Sequence, residues 1–355
     1  MITISVCMIV KNEEDVLERA LKSIKDIADE IIIVDTGSVD STKTIAKQYT
    51  NKIYDFEWCD DFSKARNYSF AKATKDYCMW LDADDIILEA DQKEFLKLKE
   101  TLSPETSVVM MRYNTNFDRN GHPTFTYYRE RLLRRRDCLR WEGFVHEVIS
   151  PRGQIIYSEI AITHMKLKAN PYRNLKIFQK KRNEGVVFSP REMFYYAREL
   201  FYHEYFDEAI SEFKRFLNSK RGWKENAISA CQFLGYCYYH KGDRQEAVSW
   251  ALQSLCYDVP RAELCCDLGK YFFELECYEQ AIFWYAMALS CQRNDQSGGF
   301  VLPDCYDYIP YMQLCLCYDA MGNHETAQFY NEMAGKCKPN DSSYLYNKQY
   351  FDRIL

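Results

Sequence analysis

Between residues 2 and 85, β-rich runs and helical patterns take turns without a break. ITISVCMIV (2–10) reads as a buried strand, EEDVLERALKSI (13–24) as a helix with Val16, Leu17, Ala20, Leu21 and Ile24 on one face, and EIIIVDTGS (30–38) as a second strand. STKTIAKQY (41–49), NKIYDFE (51–57), SKARNYSFAKAT (63–74) and DYCMWLDADD (76–85) continue as helix, strand, helix and strand. A chain that alternates so strictly builds βαβ units, hence an α/β fold with a mostly parallel, Rossmann-like sheet covered on both faces. Ligands of such sheets gather at the carboxyl ends of the strands.

Beyond Pro190 the strands stop. Ala209, Ala247, Ala281 and Ala327 recur in similar contexts (EAI, EAV, QAI, TAQ), a period near 34. The spacing resembles the tetratricopeptide pattern, with a small residue twelve positions earlier and anchors four and seven later. Gly269, Ala281, Tyr285 and Ala288 meet every position; Gly235 with Ala247, Ala197 with Ala209 and Phe213, and Tyr318 with Ala327 and Ala334 meet parts of it. Small residues let paired helices approach closely. CQRNDQSGGFVLPDCYDYIP (291–310), with its glycine pair and two prolines, absorbs the long last gap. The expected organisation is an α/β domain over 1–185 and an all-α repeat domain over 186–355. Tyr195, Tyr196, Phe201, Tyr238 and Tyr239 read either as stacking core or as the lining of a peptide groove.

A formal net charge of −6 argues against an extended nucleic-acid surface. The apolar stretch at the N-terminus is only about ten residues long, too short to span a bilayer, and lacks a basic leader. Eleven of the fifteen cysteines follow residue 230, without a C-x-x-C pair or metal-ligand spacing. Together these features predict a cytoplasmic protein that starts at Met1, with reduced thiols and no transmembrane segment.

MWLDADD (79–85) ends an apolar strand in three carboxylates. Asp82 and Asp84 alternate onto one side of an extended strand, and like charges held together need something positive between them. A divalent cation with carboxylate ligands, Mg²⁺ or Mn²⁺, meets that need; the plainer reading is a solvated turn with Asp85 capping a helix. VDTGSVDST (34–42) places a further acid, Asp35, at the same sheet edge, where no simple turn role is evident for it.

MIVKNEE (8–14), VDTGSVDST (34–42), DFSKARNYSFAKA (61–73) and WLDADD (80–85), in this order, resemble family 2 glycosyltransferases with a GT-A fold. WEGFVHEVI (141–149) and ITHMKLK (162–168) narrow the resemblance to the SunS-like and lipopolysaccharide-core glucosyltransferase branch, some of which carry helical repeats. The resemblance covers roughly residues 1–185. It implies a metal-dependent inverting transferase that uses a UDP-sugar. Asp35 would contact the uridine, Val10 to Glu13 would border the base and ribose, Arg66 would lie near the nucleotide, and Asn67 would be structural. Asp84 would ligate Mn²⁺ or Mg²⁺, and Asp82 would reach the ribose or a metal-bound water. Either His164 or His146 would supply a third ligand. Inversion needs a base, for which Glu147 is favoured over Glu142 and Glu130; if the chain is extended at 144–148, His146 and Glu147 face opposite ways.

The acceptor under this reading is a peptide, protein or saccharide, and the repeats recruit it or pair two copies of the chain. The rival reading is a degenerate transferase domain kept as a scaffold beside a protein-binding solenoid. A nucleotidyltransferase is disfavoured, because the first strand-helix turn, KNEED, lacks a glycine-rich basic loop. RERLLRRRDCLRW (129–141) carries six arginines, readable as a solvated strand edge or as a clamp for a diphosphate or acidic acceptor.

Overall fold

The first strand, β1 (Ile4–Val10), is followed by α1 (Leu17–Ile24), β2 (Glu30–Asp35), α2 (Thr42–Ala46), β3 (Ile53–Asp55), α3 (Phe62–Ala71) and β4 (Tyr77–Trp80), in the order read from the sequence. Then come β5 (Asp85–Ile86), α4 (Glu89–Thr101), β6 (Thr106–Phe117), β7 (Pro123–Arg134), β8 (Trp141–Glu142), β9 (Val148–Ile149), β10 (Gln154–His164) and α5 (Tyr172–Asn183). The structure is a computed structural model that describes residues 1–117, 121, 123–167 and 170–355; Lys168, the last residue of ITHMKLK, lies outside them. Two units emerge, Met1–Val187 and Phe188–Leu355.

The main sheet has the order β3-β2-β1-β4-β7-β6-β10-β5. The strands β3, β2, β1 and β4 pair in parallel, as do β6 and β10, while β7 and β5 run against their neighbours. Alternation along β1 covers both faces. Ile4, Val6, Met8 and Val10 pack with Leu17, Ala20, Leu21 and Ile24 of α1, and Cys7 joins Ile32, Val34 and Cys78 on the other face. Each fully buried Leu or Ile contributes about 1.5–3 kcal/mol. Helix α1 starts four residues later than the periodicity predicts, because residues 12–14 serve the neighbouring loop. Asn12 adopts φ 55°, its N–H donates to Ser38 Oγ (2.9 Å) and its Oδ1 accepts from Val39 N (2.9 Å), while Glu13 N donates to Thr42 Oγ1 (2.8 Å).

The arginine run does not form a sheet edge. Strand β7 lies inside the sheet between β4 and β6, with Arg131 wholly buried. Arg134 pairs with Asp137 (2.9 Å) and Arg136 with Glu105 (3.1 Å).

The second unit stacks four helical hairpins and a last helix: α6 (Pro190–Tyr202) with α7 (Phe206–Asn218), α8 (Lys224–His240) with α9 (Arg244–Gln253), α10 (Ala262–Glu274) with α11 (Tyr278–Ser290), α12 (Tyr308–Ala320) with α13 (His324–Cys337), then α14 (Ser342–Ile354). A Ser189–Glu192 capping box with Pro190 in the first turn starts the series. The four repeating alanines are fully buried, one in each second helix. A Cβ on Gly269 would lie 2.7 Å from the Tyr285 ring, and one on Gly235 would lie 3.1 Å from Ala247 O, which is why those positions are small. Tyr195 and Tyr196 are buried, and Phe201, partly buried, packs among Phe206, Phe233 and Tyr236. Among the described residues no helix is long and apolar enough to cross a membrane.

One acid in this unit carries an electrostatic burden. Burial pushes the Asp267 carboxyl up to about 7, against the pull of the Tyr236 hydroxyl that donates to it (2.8 Å). A folded-state value above the unfolded one favours the fold at low pH and loses that advantage as pH rises. The window runs from about 4 to about 7, and at about 1.4 kcal/mol per unit the change reaches about 4 kcal/mol. Asp267→Asn is therefore expected to flatten the pH dependence of urea unfolding between pH 5 and 8, and an unchanged slope refutes the assignment.

Candidate active site

Three elements of the carboxyl edge build the site. Val10, buried at the end of β1, pairs in register with Asp35 at the end of β2. The loops that follow are laced together through Asn12, Glu13, Ser38 and Thr42, and by Glu14 N to Asp40 Oδ2 (3.3 Å). Asp35 has a turn role that the sequence did not disclose: both carboxylate oxygens accept from Ser38 N (3.0 Å), and Lys43 Nζ lies 3.5 Å away. Gly37 (φ 102°) makes that turn feasible.

Strand β4 delivers Trp80, and the chain leaves the sheet through Asp82, Ala83 and Asp84. Helix α3, capped by Asp61 accepting from Lys64 N (3.0 Å), presents Arg66 inward. Its Nε donates to Glu147 Oε1 (2.6 Å) and its Nη2 to Asp82 Oδ1 (2.8 Å). The guanidinium is buried over the Trp80 and Trp141 rings (5.0 and 4.9 Å), and Nη1 has no hydrogen-bond partner. Burial alone would raise the Asp82 carboxyl, but Arg66 and Arg131 outweigh it and hold it below its ordinary value. Asn67 bonds reciprocally with the Trp141 backbone (2.9 Å each way), fixing β8 against α3.

The second half of the site forms where β10 meets β5. In that antiparallel pair His164 stands opposite Asp85. His164 Nδ1 lies 3.0 Å from Asp85 Oδ1, 3.0 Å from Tyr113 Oη and 3.4 Å from Asp84 Oδ1. All three neighbours can accept, so the proton belongs on Nδ1 and the neutral ring keeps its Nε2 lone pair free. Burial lowers the imidazole, but the bond to Asp85 and the charges of Asp84, Asp85 and Asp82 prevail, leaving it raised.

Asp84, Asp85 and His164 can each bring a ligand atom within 4.8 Å of the others. Asp85 is nonetheless the least available of the three. It is fully buried; Oδ1 accepts from Tyr113 Oη (2.9 Å) and His164, and Oδ2 from Arg131 Nη1 (3.2 Å) and Asp82 N (3.4 Å). Arg131 stacks 3.5 Å from the Trp80 ring centroid. A donor set of carboxylate oxygen and imidazole nitrogen fits a divalent cation, and the nitrogen favours Mn²⁺ over Mg²⁺.

The structure thus brings Asp82, Arg66 and Glu147 into one chain of contacts, and Asp84 and His164 into another beside it. Asp35 and Val10 stand at the neighbouring strand ends. His146 adopts φ 53° in a bend over 144–146, so the segment is not extended, and His146 does not join the acid–histidine group among the described residues. Glu142 is exposed on β8. Tyr113 and Arg131 are site residues that sequence reasoning missed; no local pattern announces them.

The sequence model of the family described as Glycosyl transferase family 2 matches residues 5–203, more than half of the chain. A TPR repeat-containing protein of Synechococcus elongatus is 38% identical over 152 residues, 42% of this chain and 36% of that one. The SPbeta prophage-derived glycosyltransferase SunS of Bacillus subtilis is 26% identical over 238 residues, 63% of this chain and 55% of that one. The matches thus span about half or less of these curated relatives. A crystal structure of MamA covers 50% of this chain and 84% of its own, at 22% identity and a TM-score of 0.35. With the family match running from β1 to the end of the sixth helix, over a sheet whose carboxyl edge gathers the acids, the chain belongs to the family 2 glycosyltransferases.

Proposed function

We propose that residues 1–185 transfer a hexose, with inversion, from a UDP-sugar to a peptide or protein acceptor, and that residues 186–355 recruit the acceptor. The supporting observation is the adjacency of Asp84 and His164 to the Arg66–Asp82–Glu147 chain at one sheet edge. Asp35, Val10 and Glu13 border the uridine, and Asp82 and Arg66 lie on the sugar-diphosphate side. Asp84 and His164 would hold a divalent cation, which when bound would supply Lewis-acid stabilisation of the departing diphosphate. Glu147 Oε2, left free by the Arg66 contact, takes the proton of the acceptor nucleophile. The acceptor class rests on the SunS likeness and on the stacked hairpins; a saccharide acceptor is the competing outcome.

Manganese-dependent release of UDP from a panel of UDP-hexoses tests the reading. Release with one hexose and none after chelation supports it. A chain that neither binds UDP nor responds to the cation is a scaffold.

Asp85 acts here through His164. Second-layer partners of this kind change metal affinity about 10–100-fold. Asp85→Asn is expected to weaken Mn²⁺ binding about tenfold by calorimetry with helix content unchanged; undiminished affinity would make Asp85 a purely structural partner of Arg131.

A further inference from the structure

The connection from α11 to α12 does not stay at the turn where it begins. It doubles back over the first helices of the preceding hairpins. Phe300 covers Arg198 of α6, ring centroid to guanidinium 4.9 Å, and lines a small void with Ile228 and Gln232 of α8 and Glu263 of α10. Leu302 N donates to Glu263 Oε1 (2.8 Å) and Tyr306 Oη to Glu263 Oε2 (3.1 Å), while Val301 is buried.

The glycine pair is what permits so close an approach. A Cβ on Gly298 would lie 3.0 Å from the Trp223 ring, and one on Gly299 would lie 2.4 Å from Glu225 Oε2. Glu225 is itself held by Arg261 (Nη2 to Oε1, 3.0 Å), so it cannot swing aside freely. Beneath Phe300 the face is incompletely satisfied. Arg198 is ringed by Tyr195, Tyr202 and Phe233 at 5.2–5.5 Å, and its buried Nε has no hydrogen-bond partner. A buried donor left unmade costs about 1–3 kcal/mol. Phe300 supplies the aromatic half of a ligand for this spot and not the acceptor half.

We infer that the face formed by α6, α8 and α10 docks an extended peptide that presents an aromatic ring beside a carboxylate, and that residues 294–302 occupy this face as an intramolecular plug. Repeat solenoids bind along such surfaces; the segment seated here belongs to the chain itself. A tethered competitor has an effective concentration on the order of millimolar, so an incoming peptide binds with reduced apparent affinity until the plug leaves. This inference goes beyond sugar transfer and stands on the second unit alone.

The test uses the full chain with residues 294–301 replaced by Gly-Ser repeats of equal length. The probe is a fluorescein-labelled peptide of the plug's own sequence, NDQSGGFVL, followed by anisotropy. Saturable binding to the replaced chain, at least about tenfold tighter than to the native chain, supports the plug. Loss of binding when the probe's phenylalanine becomes alanine supports the aromatic part of the pocket, and weaker binding after Arg198→Met in the replaced chain supports its cationic part. Equal binding by both chains, or indifference to the phenylalanine, overturns the proposal. Should the replacement reduce helix content by circular dichroism, Phe300→Ala in the otherwise native chain gives the same comparison.

Discussion

Asp84→Ala is expected to abolish divalent-cation binding and to lower sugar transfer about 10³-fold while the fold survives. In the proposed reaction, departure of a diphosphate would place negative charge where Asp82, Asp84 and Asp85 already crowd the edge. A Lewis acid at such a leaving group is worth several kcal/mol, and about 1.4 kcal/mol is a factor of ten. Burial raises the Asp84 carboxyl, and the Asp82 and Asp85 charges add to this against the attraction of His164. Removing that carboxylate therefore relieves repulsion in the absence of a cation. Its backbone contribution, the carbonyl that accepts from Met165 N (2.9 Å), is kept by alanine. Calorimetric Mn²⁺ titration together with UDP release measures both effects, and near-normal turnover refutes the role.

Glu147→Gln should leave UDP and Mn²⁺ binding close to native and slow transfer about 10²-fold or more, the usual consequence of losing a general base. Glutamine preserves the volume and can still accept from Arg66 Nε through its amide oxygen, but it cannot take up a proton. The contact with Arg66 raises a specific alternative, that Glu147 merely anchors the arginine. In that case the donor KM rises while kcat holds; a base gives the reverse. Full transfer by the variant moves the base to Glu142, which is solvent-exposed, since Glu130 is buried and bound by Arg129 (3.0 Å).

The series from β1 to β4 was legible because each element's period reflects its own burial, as Leu17, Ala20, Leu21 and Ile24 show. The repeats were legible for a similar reason: a buried alanine or glycine facing a neighbouring helix is a property of one hairpin. The site was legible only in part. Three carboxylates in WLDADD are visible in the string, but not that one of them would be sequestered. The partners of Asp85 lie 28, 46 and 79 residues away at Tyr113, Arg131 and His164, brought in by strands whose pairing no local period encodes. The arginine run misled in the same way, since six like charges give no hint that Arg131 would be enclosed between Trp80 and Tyr113. In 291–310 the helix break was readable, and the surface on which it settles was not.

The pairing of β5 with β10 ties assembly of the acid–histidine group to synthesis of the chain as far as residue 164. During synthesis β1 to β4 all emerge before β10. The imidazole arrives some eighty residues afterwards, about 4–16 s later at ordinary rates of about 5–20 residues per second. A nascent or truncated chain that ends before β10 therefore holds its strand-end acids without the histidine.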